Sequence, residues 1–285
     1  MPLRKFSILF LLLLAFPGCS EAEPDLFLRG YATSISFDSQ KVLSYYRNGE
    51  TDSIFVQHIH DGTILFEYEL NENLEGLVFS KDAKILIFTE TSLLELDWQL
   101  IRISELAKLD SMNITGIKVD YDANRLLWGN APENMHDTTS GTSEIVEFDL
   151  SSRKLRRTSF DENFGQLYDI APRSKDMLFL NQGGELIMVI LSKSYVMGYG
   201  PGVLNGISLG KSSIHLSKNK KELVACFNEG EVGVLDIDTG KIRTLDIAGD
   251  YINPILSYDN KFIVAQEVTR YRVRAGVFSA EPFLK

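Results

Sequence analysis

From Pro24 onward the chain is written in short apolar or alternating runs broken by Gly, Asn, Asp and Ser, and scarcely a stretch keeps the 3.6-residue period of an amphipathic helix. Alternation with period two places successive side chains on opposite faces of a strand, so the pattern predicts a chain that is nearly all β. One phrase recurs: an alternating strand, a polar turn containing Ser, Asp, Asn or Lys, then a strongly apolar strand. Its copies are Ser36–Tyr45, Val78–Phe88, Lys118–Trp128, Ile170–Leu180, His215–Phe227 and Ile255–Ala265. Anchored on Phe37, Phe79, Val119, Ala171, Leu216 and Leu256, the copies follow one another at intervals of roughly 40 to 52 residues, the spacing of propeller blades.

A second turn joins a third and a fourth strand in most copies, as in Gly233 to Ile237, Asp238-Thr239-Gly240, then Lys241 to Ile247. The run Asp236-Ile237-Asp238-Thr239-Gly240-Lys241 aligns without gaps to His58-Ile59-His60-Asp61-Gly62-Thr63 and to Asp149-Leu150-Ser151-Ser152-Arg153-Lys154. Asp side chains accept local backbone N–H bonds and Gly supplies a positive φ, which is what such turns need. The pattern resembles the third-to-fourth strand turn of WD-repeat-like, YVTN-type and quinoprotein propellers. It implies an all-β, six-bladed β-propeller of four-stranded antiparallel blades, with seven blades as the alternative. The last copy supplies three clear strands, Tyr251 to Ser257, Lys261 to Glu267 and Tyr271 to Ser279. Asp25 to Arg29 is the expected fourth, closing the ring by pairing the two ends of the domain; Pro282 to Leu284 is the other segment able to do so.

Before that domain, Arg4 and Lys5 precede an apolar run from Phe6 to Phe16, too short to span a bilayer permanently and of the form of a signal peptide. Pro17-Gly18-Cys19 follows and resembles the lipobox of bacterial lipoproteins, although Phe16 and Pro17 depart from the family's preference for an aliphatic and then a small residue. The resemblance implies a signal peptide over 1–18, a lipidated Cys19 with a short linker over 19–24, and one propeller domain over 25–285. It places the protein in the cell envelope, on an outer membrane facing the periplasm or the cell surface, with a secreted or periplasmic soluble form as the alternative. The only other cysteine is Cys226, set among Leu223, Val224, Ala225 and Phe227 and expected to be a buried strand residue. No disulfide is expected.

Charge narrows the partners. The 285 residues hold 29 Lys plus Arg against 39 Asp plus Glu, a net charge of -10, which repels phosphate backbones and argues against nucleic acid.

Loop lengths then indicate where a ligand would sit. The segment Gly129 to Ser143 is far longer than its counterparts Thr89 to Thr91 or Asn181 to Gly184, and it carries Asn130, Glu133, Asn134, His136 and Asp137. The connector Gly198 to Ser212, with Asn205, is also long. Propeller connectivity brings both to one face, beside Asp161-Glu162-Asn163, and these residues are the binding-face candidates. Asp169, His215 and Asn253 are the channel candidates, because first strands line the axis; a carboxylate in the otherwise apolar column of Leu77, Ile117 and Ile214 is a possible acid or base. His58 and His60 share a strand face with Asp61 nearby, but they occupy the turn register of Asp236 and Asp238, which calls for hydrogen-bonding side chains, so no metal site is assigned.

No G-x-S-x-G, H-E-x-x-H or cysteine cluster appears, no downstream Trp of quinoprotein blades follows Thr239-Gly240, and no cofactor is expected. The sequence therefore reads as a non-catalytic envelope lipoprotein that binds a protein or another extracytoplasmic ligand through one propeller face. The competing expectation is a metal-dependent hydrolase or lactonase with its site at the channel mouth.

Overall fold

The computed structural model describes residues 23–49, 51–109, 113–131, 144–159, 167–173, 176–181, 186–191, 196–198, 209, 213–227, 231–247, 249–269 and 272–284. The chain is an all-β propeller whose blades are four-stranded antiparallel sheets. The first sheet holds β2 (Tyr31–Ile35), β3 (Lys41–Asn48), β4 (Thr51–His58) and β5 (Ile64–Leu70), in that spatial order. The second holds β6 (Leu74–Phe79), β7 (Ile85–Thr89), β8 (Ser92–Asp97) and β9 (Arg102–Lys108), and the third β10 (Asn113–Asp120), β11 (Arg125–Ala131), β12 (Glu144–Asp149) and β13 (Leu155–Ser159). The fourth is β14 (Leu167–Pro172), β15 (Asp176–Asn181), β16 (Leu186–Leu191) and β17 (Val196–Gly198), and the fifth β18 (His215–Leu216), β19 (Glu222–Phe227), β20 (Glu231–Asp236) and β21 (Ile242–Thr244). The sixth joins β22 (Tyr251–Leu256), β23 (Phe262–Glu267) and β24 (Arg274–Ser279) to β1 (Leu26–Arg29).

Burial explains the sequence pattern. The second strands β7 and β19 are buried at every position and are mostly apolar, whereas the outermost β5 and β9 are largely exposed or half-buried. The core is accordingly divided among the seams between sheets. Leu43, Ile54 and Val56 pack on Leu77, Phe79 and Ile87 between the first and second sheets. Phe88 meets Trp128 edge-on, ring centroids 5.3 Å apart, between the second and third. Leu28, Val264 and Val277 pack on Ile35 and Val42, so the sixth sheet contacts the first.

The ends of the domain close the structure. Leu26 to Arg29 pair antiparallel with Val277 to Arg274, so the segment expected to supply the missing strand does so, rather than Pro282 to Leu284. The buried Gln57 side chain locks this junction: its Oε1 accepts the Arg29 N–H at 2.9 Å and its Nε2 donates to the Arg29 carbonyl at 2.8 Å and to Ser44 Oγ at 2.7 Å. Gly30 then carries the chain into β2 with φ of 81°, where a Cβ would lie 2.5 Å from the Tyr45 carbonyl oxygen. One anchor moves in register: Phe37 belongs to the β2–β3 turn, and Ile35, paired with Val42, takes the place expected for it.

Candidate functional site

The first strands of the sheets line a central channel with two cavities. One, about 380 Å³, opens among Tyr31, Glu75, Thr115, Tyr168 and Asn253 at the ends where the sheets are connected to one another. The other, about 130 Å³, lies among Tyr121, Asp122, Ser217, Lys218 and Tyr258 at the turns joining first to second strands. Lys118 and His215 border both cavities and stand between them.

Here three consecutive sheets meet. Asp169 of β14 is buried, its Oδ1 accepting the Ile170 N–H at 2.8 Å and its Oδ2 accepting the Ile214 N–H of the next sheet at 2.7 Å. Lys118 of β10 reaches in from the other side, with Nζ 3.0 Å from Asp169 Oδ2 and 3.1 Å from His215 Nε2. A carboxylate offers about four lone-pair sites, and three donors already use Asp169. The close approach is made by Gly116, whose φ is 60° and whose Cβ, if present, would stand 2.9 Å from both Asp169 Cα and Oδ1.

Burial raises the Asp169 pKa, and the Lys118 ammonium with the two amides opposes that rise. Burial also drives the His215 imidazole well below its usual range, and the Lys118 charge pushes the same way, so His215 is neutral and its Nε2 can accept the lysine proton. The cluster thus contains its own cation, placed between the Asp169 carboxylate and the His215 imidazole. A divalent ion held by Asp169 and His215 would have to displace that ammonium, since two cations cannot share the position.

The third channel candidate, Asn253, has φ of 50° and uses its Oδ1 to accept the Ser213 N–H at 3.3 Å, joining the sixth sheet to the fifth as Asp169 joins the fourth to the fifth. Lys118 was not among the sequence candidates, because a lysine in an alternating strand ordinarily faces solvent. Its signal was positional: it shares a column with Val78, His215 and Ile255, all of which border the channel.

Among the binding-face candidates, Asn130 lies on β11, buried, where its Oδ1 accepts the Trp128 Nε1–H at 3.1 Å. Glu133, Asn134, His136, Asp137, Asp161, Glu162, Asn163 and Asn205 lie outside the described residues, as does Cys19. His58 Nδ1 is 3.2 Å from Asp61 Oδ1 within its turn, while His60 stands edge-on to Phe262 with centroids 5.2 Å apart. Among the described residues no group of three or more His, Cys, Asp or Glu converges as a metal site would require. Cys226 is buried, with Sγ 3.7 Å from the Tyr251 carbonyl oxygen. No helix among the described residues is long and apolar enough to cross a membrane.

No protein-family model matches the sequence, and no curated protein matches it. Solved propellers do match the structure. TolB from Acinetobacter baumannii superposes with a TM-score of 0.61 at 18% identity, over 86% of this chain and 62% of that one, so the chain spans less than two thirds of TolB's length. A luciferin-regenerating enzyme gives 0.62 at 10% identity over 89% of this chain and 92% of its own. Oligogalacturonate lyase from Vibrio parahaemolyticus gives 0.55 at 11% over 88% and 90%. At such identities the likeness is one of fold.

Proposed function

We propose that this chain is a non-catalytic binding propeller of the bacterial cell envelope, a closed ring of six blades held to a membrane by lipid on Cys19, which captures a protein or another extracytoplasmic ligand on the face that carries the blade connectors. The observation that supports it most is the use made of the channel carboxylate: Asp169 is spent on two backbone amides and the Lys118 ammonium. A channel-mouth hydrolase or lactonase needs such groups open toward substrate, whereas here they hold three blades in register. The lipid anchor rests on the apolar run Phe6 to Phe16 ending in Gly18-Cys19, and the choice of face on the length of the segments 129–143 and 198–212.

The test is capture from an envelope extract by the wild-type chain and by a variant whose residues 132–143 are replaced with a two-residue Asn-Gly turn, a tight connection of the kind suited to hairpins. Circular dichroism should show both folded, and the partner recovered by wild type, once purified, should bind the variant at least about tenfold more weakly, a loss of 1.4 kcal/mol or more. Equal recovery of every partner would remove this face from the proposal.

A further inference from the structure

The turn between the third and fourth strands of the second sheet breaks two rules at once. In the first and fifth sheets the fifth residue of this turn is Gly62 or Gly240, with φ of 71° and 70°, and its N–H closes the turn on His58 or Asp236. In the third sheet that residue is Arg153, with φ of 56°, and in the second it is the β-branched Ile101, with φ of 52°. A β-branched side chain in the left-handed region is strained. Ile101 is nevertheless 70% exposed, and Leu100 beside it 73%, so neither burial nor packing within the chain compensates. The turn is otherwise regular, with Asp97 Oδ1 accepting the Gln99 and Leu100 N–H groups.

The tip does not stand alone. The start of the outermost strand presents an exposed apolar side chain on the same rim in four sheets: Ile64, Ile103, Leu155 and Ile242. Exposed cations adjoin three of them, Arg102 beside Ile101 and Ile103, Lys154 beside Leu155, and Lys241 beside Ile242, and the same turns carry the carboxylates Asp61, Asp97, Asp149, Asp236 and Asp238, so the rim has no excess of positive charge. Exposed apolar side chains flanked by charged and amphipathic ones can rest in a lipid headgroup layer, with burial of the apolar groups as the driving force. The chain enters the ring on this rim as well, because Leu26, the first residue of β1, lies against Gly62, where a glycine Cβ would be 3.5 Å from both of its methyl carbons.

We propose that this rim docks on a bilayer, with Leu100 and Ile101 inserted among the acyl chains and the charged groups of the turns left in the headgroup layer. The choice of a bilayer rests on the envelope reading given above and on the entry of the chain, 7 residues after Cys19, at the same rim.

The test uses residues 20–285, which retain every described strand and carry no lipid site, and vesicles of phosphatidylcholine with phosphatidylethanolamine. Wild type should cosediment with them, and Ile101→Gly and Leu100→Ser should each lower the partition coefficient about tenfold, as expected for withdrawing one large apolar side chain. Ile101→Gly should at the same time raise the melting temperature, by about 2–4 °C, because it relieves the left-handed strain. Weaker vesicle binding by a more stable protein cannot come from damage to the fold. Absence of cosedimentation by wild type, or binding by Ile101→Gly equal to wild type, would overturn the proposal. Failure of Cys19 lipidation would leave these results unchanged, since the chain tested has no Cys19.

Discussion

Lys118 Nζ and Asp169 Oδ2 lie 3.0 Å apart across the seam between the third and fourth sheets, both nearly withdrawn from water. Breaking a buried ion pair leaves the remaining charge unsolvated, which costs about 3–5 kcal/mol. Lys118→Met should destabilise the protein by that order in urea unfolding. Adding Asp169→Asn should return part of the loss, since the amide carries no charge to strand. A Lys118→Met variant within about 0.5 kcal/mol of wild type would show that the pair does not hold the seam.

Stability should depend on His215 below neutral pH. Its folded imidazole is held well under its ordinary value of 6.5, so on acidification the unfolded chain takes the proton first. Stability from this group is complete above 6.5 and is lost as pH falls below it, with a slope approaching about 1.4 kcal/mol per pH unit until the folded pKa is reached. Asp169, whose folded pKa is raised, acts with the opposite sign at lower pH. Urea unfolding of wild type and His215→Gln between pH 5 and 8 isolates the histidine: the variant should show the shallower dependence. Parallel curves would mean that His215 titrates normally in the fold.

Closure of the ring should be open to single substitutions. Leu28 is 1% exposed and packs in the seam between the sixth and first sheets. Leu28→Ala should cost about 2–5 kcal/mol. Gln57→Ala, which leaves the Arg29 N–H and carbonyl without their side-chain partner, should cost about 1–3 kcal/mol. Deleting the chain through Arg29 should expose the edge of β24 and bring aggregation, visible by light scattering. A deletion that leaves both melting temperature and scattering unchanged would contradict closure by β1.

Membrane attachment separates by extraction. With lipid on Cys19, wild type should resist high salt and require detergent, and the N-terminal peptide should carry the acyl mass. Cys19→Ala should lose that mass and no longer require detergent, because one inserted apolar tip binds far more weakly and reversibly than an acyl anchor. Wild type without added mass at Cys19 would end the lipoprotein reading.

The architecture was legible because each blade repeats the same burial requirement, and the apolar second strands and Asp or Gly turns record it directly. Asp169, His215 and Asn253 were legible as exceptions within an apolar or small-residue column. Their roles were not, because each depends on a neighbour roughly 40 or more residues distant: Asp169 on Ile214, Asn253 on Ser213, His215 on Lys118. Lys118 itself was hidden by the ordinary meaning of a lysine in a strand. Ile101 was hidden differently, since its oddity is a backbone angle, and only the equivalence with Gly62 and Gly240 hints at it. The Gly129 to Ser143 segment could be read for length alone.

The antiparallel pairing of β1 with β24 also sets an order of events in time. Leu26 is among the first residues of the domain to be synthesised, yet its partner Val277 is among the last, so the ring cannot be completed until the whole chain is available. Bringing together ends so far apart in sequence is entropically slow. Until then one edge of β24 is unpaired, and the newly made chain passes through a state in which pairing with another chain competes with its own closure.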